Sequence, residues 1–416
     1  MRRTKNGRHS ASRPHNPFLS EYAFVVRVVT VGSYDRNFNR NILNARLLAQ
    51  VDYVKHIDRP SMALKANRME LWNHHKAAAG LRLIPSSFGL FLRTLSDSVR
   101  NPGTTYFVQY PGYLDVPMVR LAASIRAGKV LYDPFISLYD TIVHDRRLRS
   151  DRSWLARAVK AMDVLALRSA DRVICDTPQT GDYLAKLSGS LREKFSTLWV
   201  GADEQTYFPP DPGDAHRARS ELLSELGLES DDCAFLVLYY GNYIPLHGID
   251  RIVRAAAFTD SRVKFVFVGD GQTLVSTQQL VSEMALTNIT FLDRRSPERI
   301  RDLIWGSDLI LGVFGSSDKA RRVLPNKLME AMACRQAVLT ARTPATDSFL
   351  ATVPTTDNSP DAIAEAINSL AEADSLHDLR AQVHQEYQEK FSEAVRLSQL
   401  EQVLIETANV EAAPDS

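Results

Sequence analysis

The sequence predicts an α/β protein made of two doubly wound, Rossmann-like domains that face each other across a cleft. Three observations carry this. The 416 residues suffice for two or three domains of ordinary size. Short, nearly continuous apolar runs alternate with helical patterns along most of the chain, as in parallel sheets covered on both faces. Near the middle, the stretch WVGADEQTYFPPDPGDAHRARS breaks the alternation with three prolines, two glycines and several acids, and reads as an interdomain linker.

The chain begins with a basic, polar tail over residues 1–20, which lacks the apolar segment of a secretion signal and is expected to be disordered. The first domain is placed from about Glu21 to Val200. Its strands are read in FVVRVVTVG, TYFVQY, KVLYDPF and DRVICDT. After the first of these comes VTVGSYDRNFNRN, with Gly32 at a turn and then Arg36 and Arg40. A glycine turn with two arginines can face a phosphate across a cleft; solvent-exposed arginines paired on a helix surface fit the spacing as well. Phe88, Phe91, Leu92, Leu95 and Val99 recur at helical spacing. With His74, His75, Lys76, Arg82 and Arg93 nearby, this could be a membrane-facing basic helix. A helix packed on the sheet with its charges in water is the preferred reading. KVLYDPFISLYDTIVHDR ends a strand with Asp133, Ser137, Tyr139, Asp140, His144, Asp145 and Arg146. An acid or His here would sit in the cleft, and spacing does not select which.

The second domain is placed over residues 201–370, with strands in AFLVLYYG, VKFVFVGDG, NITFLD, DLILGVFG and QAVLTA. Gly241 follows the first of these, and a helix is expected to start near His247–Gly248–Ile249–Asp250. Gly269 and Gly271 follow the next strand, a weak G-x-G signal by itself. In LPNKLMEAMACRQAVL, Pro325 suits the first turn of a helix. The free N–H groups there and Lys327 in the same turn favour an anion, and Lys319, Arg321 and Arg322 lie in the loop before it. Glu330 falls three residues after Lys327, on the same side, where a carboxylate can accept hydrogen bonds from the vicinal hydroxyls of a ribose. Leu328, Ala331 and Met332 form the buried stripe. Alone, Lys327 and Glu330 fit a simple helix pair equally well, worth about 0.2–0.5 kcal/mol. Residues 371–408 are helical, with Ser392 as a cap, and 409–416 form a second disordered tail.

Composition narrows the partners. The formal net charge is +1, which argues against a nucleic-acid binder. Cys175, Cys233 and Cys334 have no metal spacing and read as small core residues in a reducing compartment. No apolar run approaches the ~20 residues needed to span a bilayer. A cytoplasmic protein is expected, with peripheral contact at the inner membrane face as a further option.

These residues resemble the family-4 retaining glycosyltransferases of GT-B architecture. The likeness rests on GNYIPLHGID, VFVGDGQ, SDLILGVFG and LPNKLMEAMACRQAVLTA, in order and at fitting separations. GSYDRNFNRN, YDPFISLYDT, ADRVICDT and WVGADEQTYFPP resemble a bacterial and archaeal branch with a PNK helix start. The likeness covers about Tyr22 to Leu404. It implies a nucleotide-diphosphate-sugar donor held mainly by the second domain and a last helix that crosses back to the first. Glu330 matches the ribose-binding glutamate, Lys327 a lysine near the diphosphate, Gly241 the phosphate-loop glycine and Gly32 the first-domain glycine near the phosphates. Pro325, Asn326, Asn242, His247, Gly269, Gly271, Lys319, Arg36 and Arg40 complete the expected donor site, with Lys327, Arg322 and Asp140 at the reacting centre.

Two positions depart from the pattern. Arg322 stands where the family commonly has the earlier of two glutamates eight positions apart. His247 stands where relatives often have a lysine before Gly248; a neutral His supplies less phosphate charge. The implied reaction is transfer with retention, with neither cofactor nor metal, to an unidentified glycan, lipid or small-molecule acceptor. An alternative is a nucleotide-sugar-binding protein that has lost transfer. A dinucleotide-dependent dehydrogenase fits less well, because GSYDRN rather than G-x-G-x-x-G follows the first strand.

Overall fold

The computed structural model describes residues 26–60, 83–145, 152–228 and 234–408. The expectations placed on the two terminal tails, on His74, His75, Lys76 and Arg82, on Arg146 and on Cys233 lie outside them, as do those on the side chains of His144 and Asp145.

The first domain runs β1 (Val26–Gly32), α1 (Asn39–Leu48), β2 (Val54–Pro60), α2 (Leu83–Arg100), β3 (Thr105–Val108), α3 (Asp115–Ala123), β4 (Lys129–Tyr132), α4 (Trp154–Ser169), β5 (Arg172–Cys175), α5 (Pro178–Ser188) and β6 (Phe195–Thr197). A π-helical turn, Asp140–Asp145, follows β4. The six strands pair in parallel in the order β2-β1-β3-β4-β5-β6. Strand alternation divides the core. Val29, Val31, Tyr106, Val108, Val130 and Tyr132 face the layer α2–α5, while Val28, Phe107, Leu131 and Ile174 face α1 and the last helix.

The second domain opens with α6 (Pro212–Glu225) and continues β7 (Phe235–Asn242), α7 (Ile249–Ala256), β8 (Val263–Asp270), α8 (Leu274–Glu283), β9 (Ile289–Leu292), α9 (Pro297–Gly306), β10 (Leu309–Leu311), α10 (Asn326–Ala333), β11 (Ala337–Ala341), α11 (Pro344–Phe349), β12 (Thr355–Thr356), α12 (Pro360–Glu372) and α13 (Leu376–Lys390). Its strands, also parallel, run β12-β11-β10-β7-β8-β9. The architecture is the predicted pair of doubly wound domains.

All nine apolar runs read from the sequence are strands. The three missed strands, β2, β6 and β12, lie at sheet edges, where short or polar sequences suffice. The helix over residues 88–99 differs in its facing. It turns Leu90, Thr94, Asp97 and Ser98 to the sheet, whereas Phe88 is 60% and Leu92 50% exposed. Asp97 explains the rotation, because its carboxylate is held by Arg27 at 2.7 and 2.8 Å and by Tyr106 at 3.0 Å.

The chain crosses back at Ser392. Helix α13 stays on the second domain through Val383 and Tyr387. The final helix, α14 (Glu393–Ala408), packs Leu400, Val403 and Leu404 on the first sheet. Ser392 is not its side-chain cap: the hydroxyl donates to the Gln388 carbonyl at 2.8 Å, and Glu204 takes the Glu393 N–H at 2.5 Å. Buried Arg396 on α14 donates to the carbonyls of Val200 at 3.1 Å and Ala202 at 2.8 Å, tying the linker down. Cys175 and Cys334 are buried free thiols. No described helix is long and apolar enough to cross a membrane.

Candidate functional site

In open parallel sheets, ligands bind beyond the carboxyl ends of the strands where the strand order reverses. Here that is β1/β3 in the first domain and β7/β10 in the second. Helix α10 starts at the second of these points. Pro325 is its N-cap rather than its first helical residue, with φ −72° and ψ 146°, Asn326 comes first, and no side chain caps the end.

Helix α10 is buried all round, so the expected polar stripe faces other protein groups rather than open water. Lys327 is only 5% exposed. Its ammonium lies 4.0 Å from the centre of the Tyr239 ring and has no hydrogen-bond partner. The simple Lys327–Glu330 hydrogen-bonded pair is therefore absent. Burial brings the Lys327 pKa down to about 7, with the nearby Glu330 charge opposing. Burial also raises the Glu330 carboxyl above its ordinary range, although Tyr240 donates to it at 2.7 Å. Tyr239 and Tyr240 are the residues sequence reading missed. They close β7 just before Gly241, and strand alternation sends one towards Lys327 and the other to Glu330.

Gly241 has φ +133°, and a β-carbon there would sit 3.5 Å from the Lys327 ammonium. Gly269 and Gly271 answer first to backbone packing: a side chain on Gly271 would come within 2.6 Å of the Tyr243 nitrogen. The Asn242 carbonyl accepts from Tyr239 at 3.2 Å, and its side chain is exposed. His247 is buried with Nδ1 at 2.7 Å from the Tyr239 hydroxyl. Burial and the Lys327 charge hold its pKa far below the usual histidine value, so the ring is neutral. Helix α7 starts at Ile249, after Gly248 at φ +62°.

The loop before α10 reaches the first domain. Arg322 pairs with Asp140 at 2.7 Å, and its guanidinium lies 3.8 Å from the centre of the Tyr183 ring. Thr177 donates to the Arg322 carbonyl at 2.6 Å. The Lys319 ammonium lies 3.2 Å from the Thr141 hydroxyl, and Arg321 is exposed. Asp140 is positioned from beneath. Its backbone N–H donates to Ser137, whose hydroxyl donates at 2.6 Å to Asp163. Burial pushes the Asp163 carboxyl up to about 6.

Two first-domain arginines are engaged elsewhere. Arg36 is exposed and pairs with Asp58 at 2.7 Å. Arg40 is buried; it pairs with Asp133 at 2.8 Å and donates to the carbonyls of Trp199 at 2.9 Å and Leu198 at 3.0 Å. Its donors serve the domain core rather than a phosphate. Gly32 has φ +109°, and a β-carbon there would lie 3.2 Å from Asp115, which accepts the Ser33 N–H at 2.6 Å.

The site thus joins a buried lysine without a hydrogen-bond partner, an uncapped helix start and a glycine turn to a carboxylate one helical turn on. That set suits a ligand carrying both anionic and hydroxyl groups.

Known proteins share parts of this chain. Residues 234–373 match the family model described as "Glycosyl transferases group 1". The D-inositol 3-phosphate glycosyltransferase of Rhodococcus erythropolis is 29% identical over 197 residues, 45% of this chain and 41% of that protein. Spore coat protein SA of Bacillus subtilis is 25% identical over 187 residues, 42% of this chain and 48% of its own. The matches therefore take in under half of each curated relative. Among solved structures, Anabaena HepE in complex with UDP superposes with a TM-score of 0.67 at 16% identity, covering 92% of this chain and 100% of that one. Sucrose-phosphate synthase from Thermosynechococcus elongatus gives 0.67 at 16% identity, over 93% and 100%. The chain has the two-domain GT-B fold, and its second domain matches the group 1 glycosyl transferases over residues 234–373.

Proposed function

We propose that the chain transfers a sugar from a nucleoside-diphosphate-sugar to an acceptor held on the first-domain side, with retention at the anomeric carbon and no metal ion. The observation that carries this reading is the buried Lys327 ammonium without a hydrogen-bond partner at the β7/β10 crossover. A charge buried at such cost calls for an anion. As the sugar–phosphate bond breaks through an oxocarbenium-like state, charge gathers on the departing diphosphate. Lys327 and the start of α10 stabilise it there. Glu330 accepts from the ribose hydroxyls. The departing phosphate oxygen takes the acceptor proton on the same face, so no protein base is needed.

Anabaena HepE structures contain UDP and UDP-glucose, which makes uridine donors the first to try. The acceptor is a glycan, lipid or small molecule, and peripheral contact with the inner face of a membrane belongs to the same proposal.

The Arg322–Asp140 pair favours a second reading, a nucleotide-sugar binder without transfer, because it ties together two groups expected at the reacting centre. One experiment separates the readings. The protein is incubated with uridine, guanosine, adenosine and thymidine diphosphate sugars in excess chelator, and diphosphate release and product anomers are followed by NMR. Turnover with retained configuration is expected. Tight binding of a donor that is never consumed would favour the second reading, and loss of turnover restored by Mg²⁺ or Mn²⁺ would contradict the metal-free mechanism.

A further inference from the structure

The outer surface of the α2–α3–α4 layer is unlike the rest of the described surface, because most of the large exposed apolar side chains among the described residues lie on it. Each of these helices carries one outward stripe at i, i+4, i+7, i+11, the spacing of a single helical face. On α2 it is Phe88, Leu92, Leu95 and Val99. From the residue before α3 to the turn after it, the stripe is Leu114, Met118, Leu121 and Ile125, and on α4 it is Trp154, Ala158, Ala161 and Leu165. Leu121 is 60%, Ile125 54% and Trp154 79% exposed. The three helices lie side by side, so the stripes adjoin. Exposed apolar groups concentrated in this way mark a binding surface.

Charge selects the partner. The exposed charged residues on this layer are Arg93, Arg100, Arg126, Arg157, Lys160 and Arg168. The acids within α2, α3 and α4 are Asp97, Asp115 and Asp163, and all three are buried. Arg27, the Ser33 N–H and the Ser137 hydroxyl respectively hold them inward. Negative charge has thus been withdrawn from this face, while cations are spread across all three helices. A laterally uniform anionic surface complements that spread better than a partner with one acidic spot would.

We propose that the α2–α3–α4 face docks on an anionic lipid bilayer, with its apolar stripes in the interfacial region and its cations at the headgroups. This specifies the surface and the lipid charge for the peripheral contact proposed above. It does not depend on sugar transfer, since docking is read without donor or acceptor. The layer flanks the first sheet and the cleft lies beyond its strand ends, so docking leaves the cleft open.

Co-sedimentation of the full chain with vesicles tests the inference. Binding is expected to mixed phosphatidylglycerol–phosphatidylcholine vesicles, to fall with added salt, and to be absent from pure phosphatidylcholine. The triple variants Phe88→Ser/Leu92→Ser/Leu121→Ser and Arg93→Glu/Arg126→Glu/Lys160→Glu should each bind at least tenfold more weakly with unchanged circular dichroism. Should a variant fail to fold, Trp154 gives an independent readout. Brominated lipid in anionic vesicles should quench wild-type fluorescence, and Trp154→Phe should lose that quenching. Absence of vesicle binding, equal binding by folded variants, or no quenching attributable to Trp154 would overturn the inference. So would self-association lost in the apolar variant without any vesicle binding.

Discussion

Lys327 carries the site at the scale of a single residue. A buried ammonium without a hydrogen-bond partner weakens the free protein. Lys327→Met keeps all but the last atom of the side chain and removes the charge, so the unliganded protein should melt at a higher temperature. The same variant should bind nucleoside diphosphate more weakly and lose more in kcat than in affinity, because the charge acts most on the leaving group. Calorimetry with steady-state kinetics checks both, and an unchanged or lowered Tm would make Lys327 a structural residue. Glu330→Ala should weaken donor binding by about 1–3 kcal/mol, as a charged hydrogen bond is lost; an equal loss for a donor lacking both ribose hydroxyls would place Glu330 elsewhere. The spacing of Lys327 and Glu330 was legible in the sequence. Arg40 was not, because its partners Asp133, Leu198 and Trp199 lie far along the chain.

At the scale of elements, α10 and the glycine turns place these groups. Gly248 combines φ +62° with backbone neighbours so close that a β-carbon would lie 2.5 Å from the Phe314 carbonyl carbon. Gly248→Ala should therefore cost more than about 1–2 kcal/mol, the usual penalty of left-handed backbone. Urea unfolding measures it, and a neutral result would mean that the loop relaxes. Interior strands were readable because both their faces are buried and their sequences run apolar. Three of the four edge strands were not, since β2 reads VKHIDRP and β12 is two threonines, whereas the apolar run ITFL gave the edge strand β9 away. Helix α2 shows the limit of periodicity. Its apolar spacing marked a face correctly, yet Asp97 and its arginine partners decide that the face points outward.

Over the whole molecule, the two sheets are joined by the linker, the return of α14 and the contacts of the loop before α10. Arg396 secures the first two by bonding the linker carbonyls from α14. Arg322 with Asp140, and Lys319 with Thr141, tie the loop before α10 to the π-helical turn after β4 at one edge of the cleft. Arg322→Ala should widen the distribution of distances between spin labels placed on the two domains while leaving each domain folded. An unchanged distribution would assign closure to the other connections, Lys319 with Thr141 and the linker held by α14. The general architecture was legible from alternating strands and a linker. The interdomain latch was not, because Arg322 and Asp140 come from separate domains and only folding makes them neighbours.

Lys327 waits, largely uncharged above pH 7, for an anion that restores its proton. Its pKa in the free protein is about 7. A bound diphosphate raises it, so above pH 7 binding takes up a proton and affinity falls as pH rises. Isothermal titration at pH 8 should be done with whichever of UDP, GDP, ADP and dTDP raises the Tm, in buffers of different ionisation enthalpy. The wild type should take up about one proton per diphosphate bound and Lys327→Met almost none; no uptake by the wild type, or equal uptake by the variant, would contradict it.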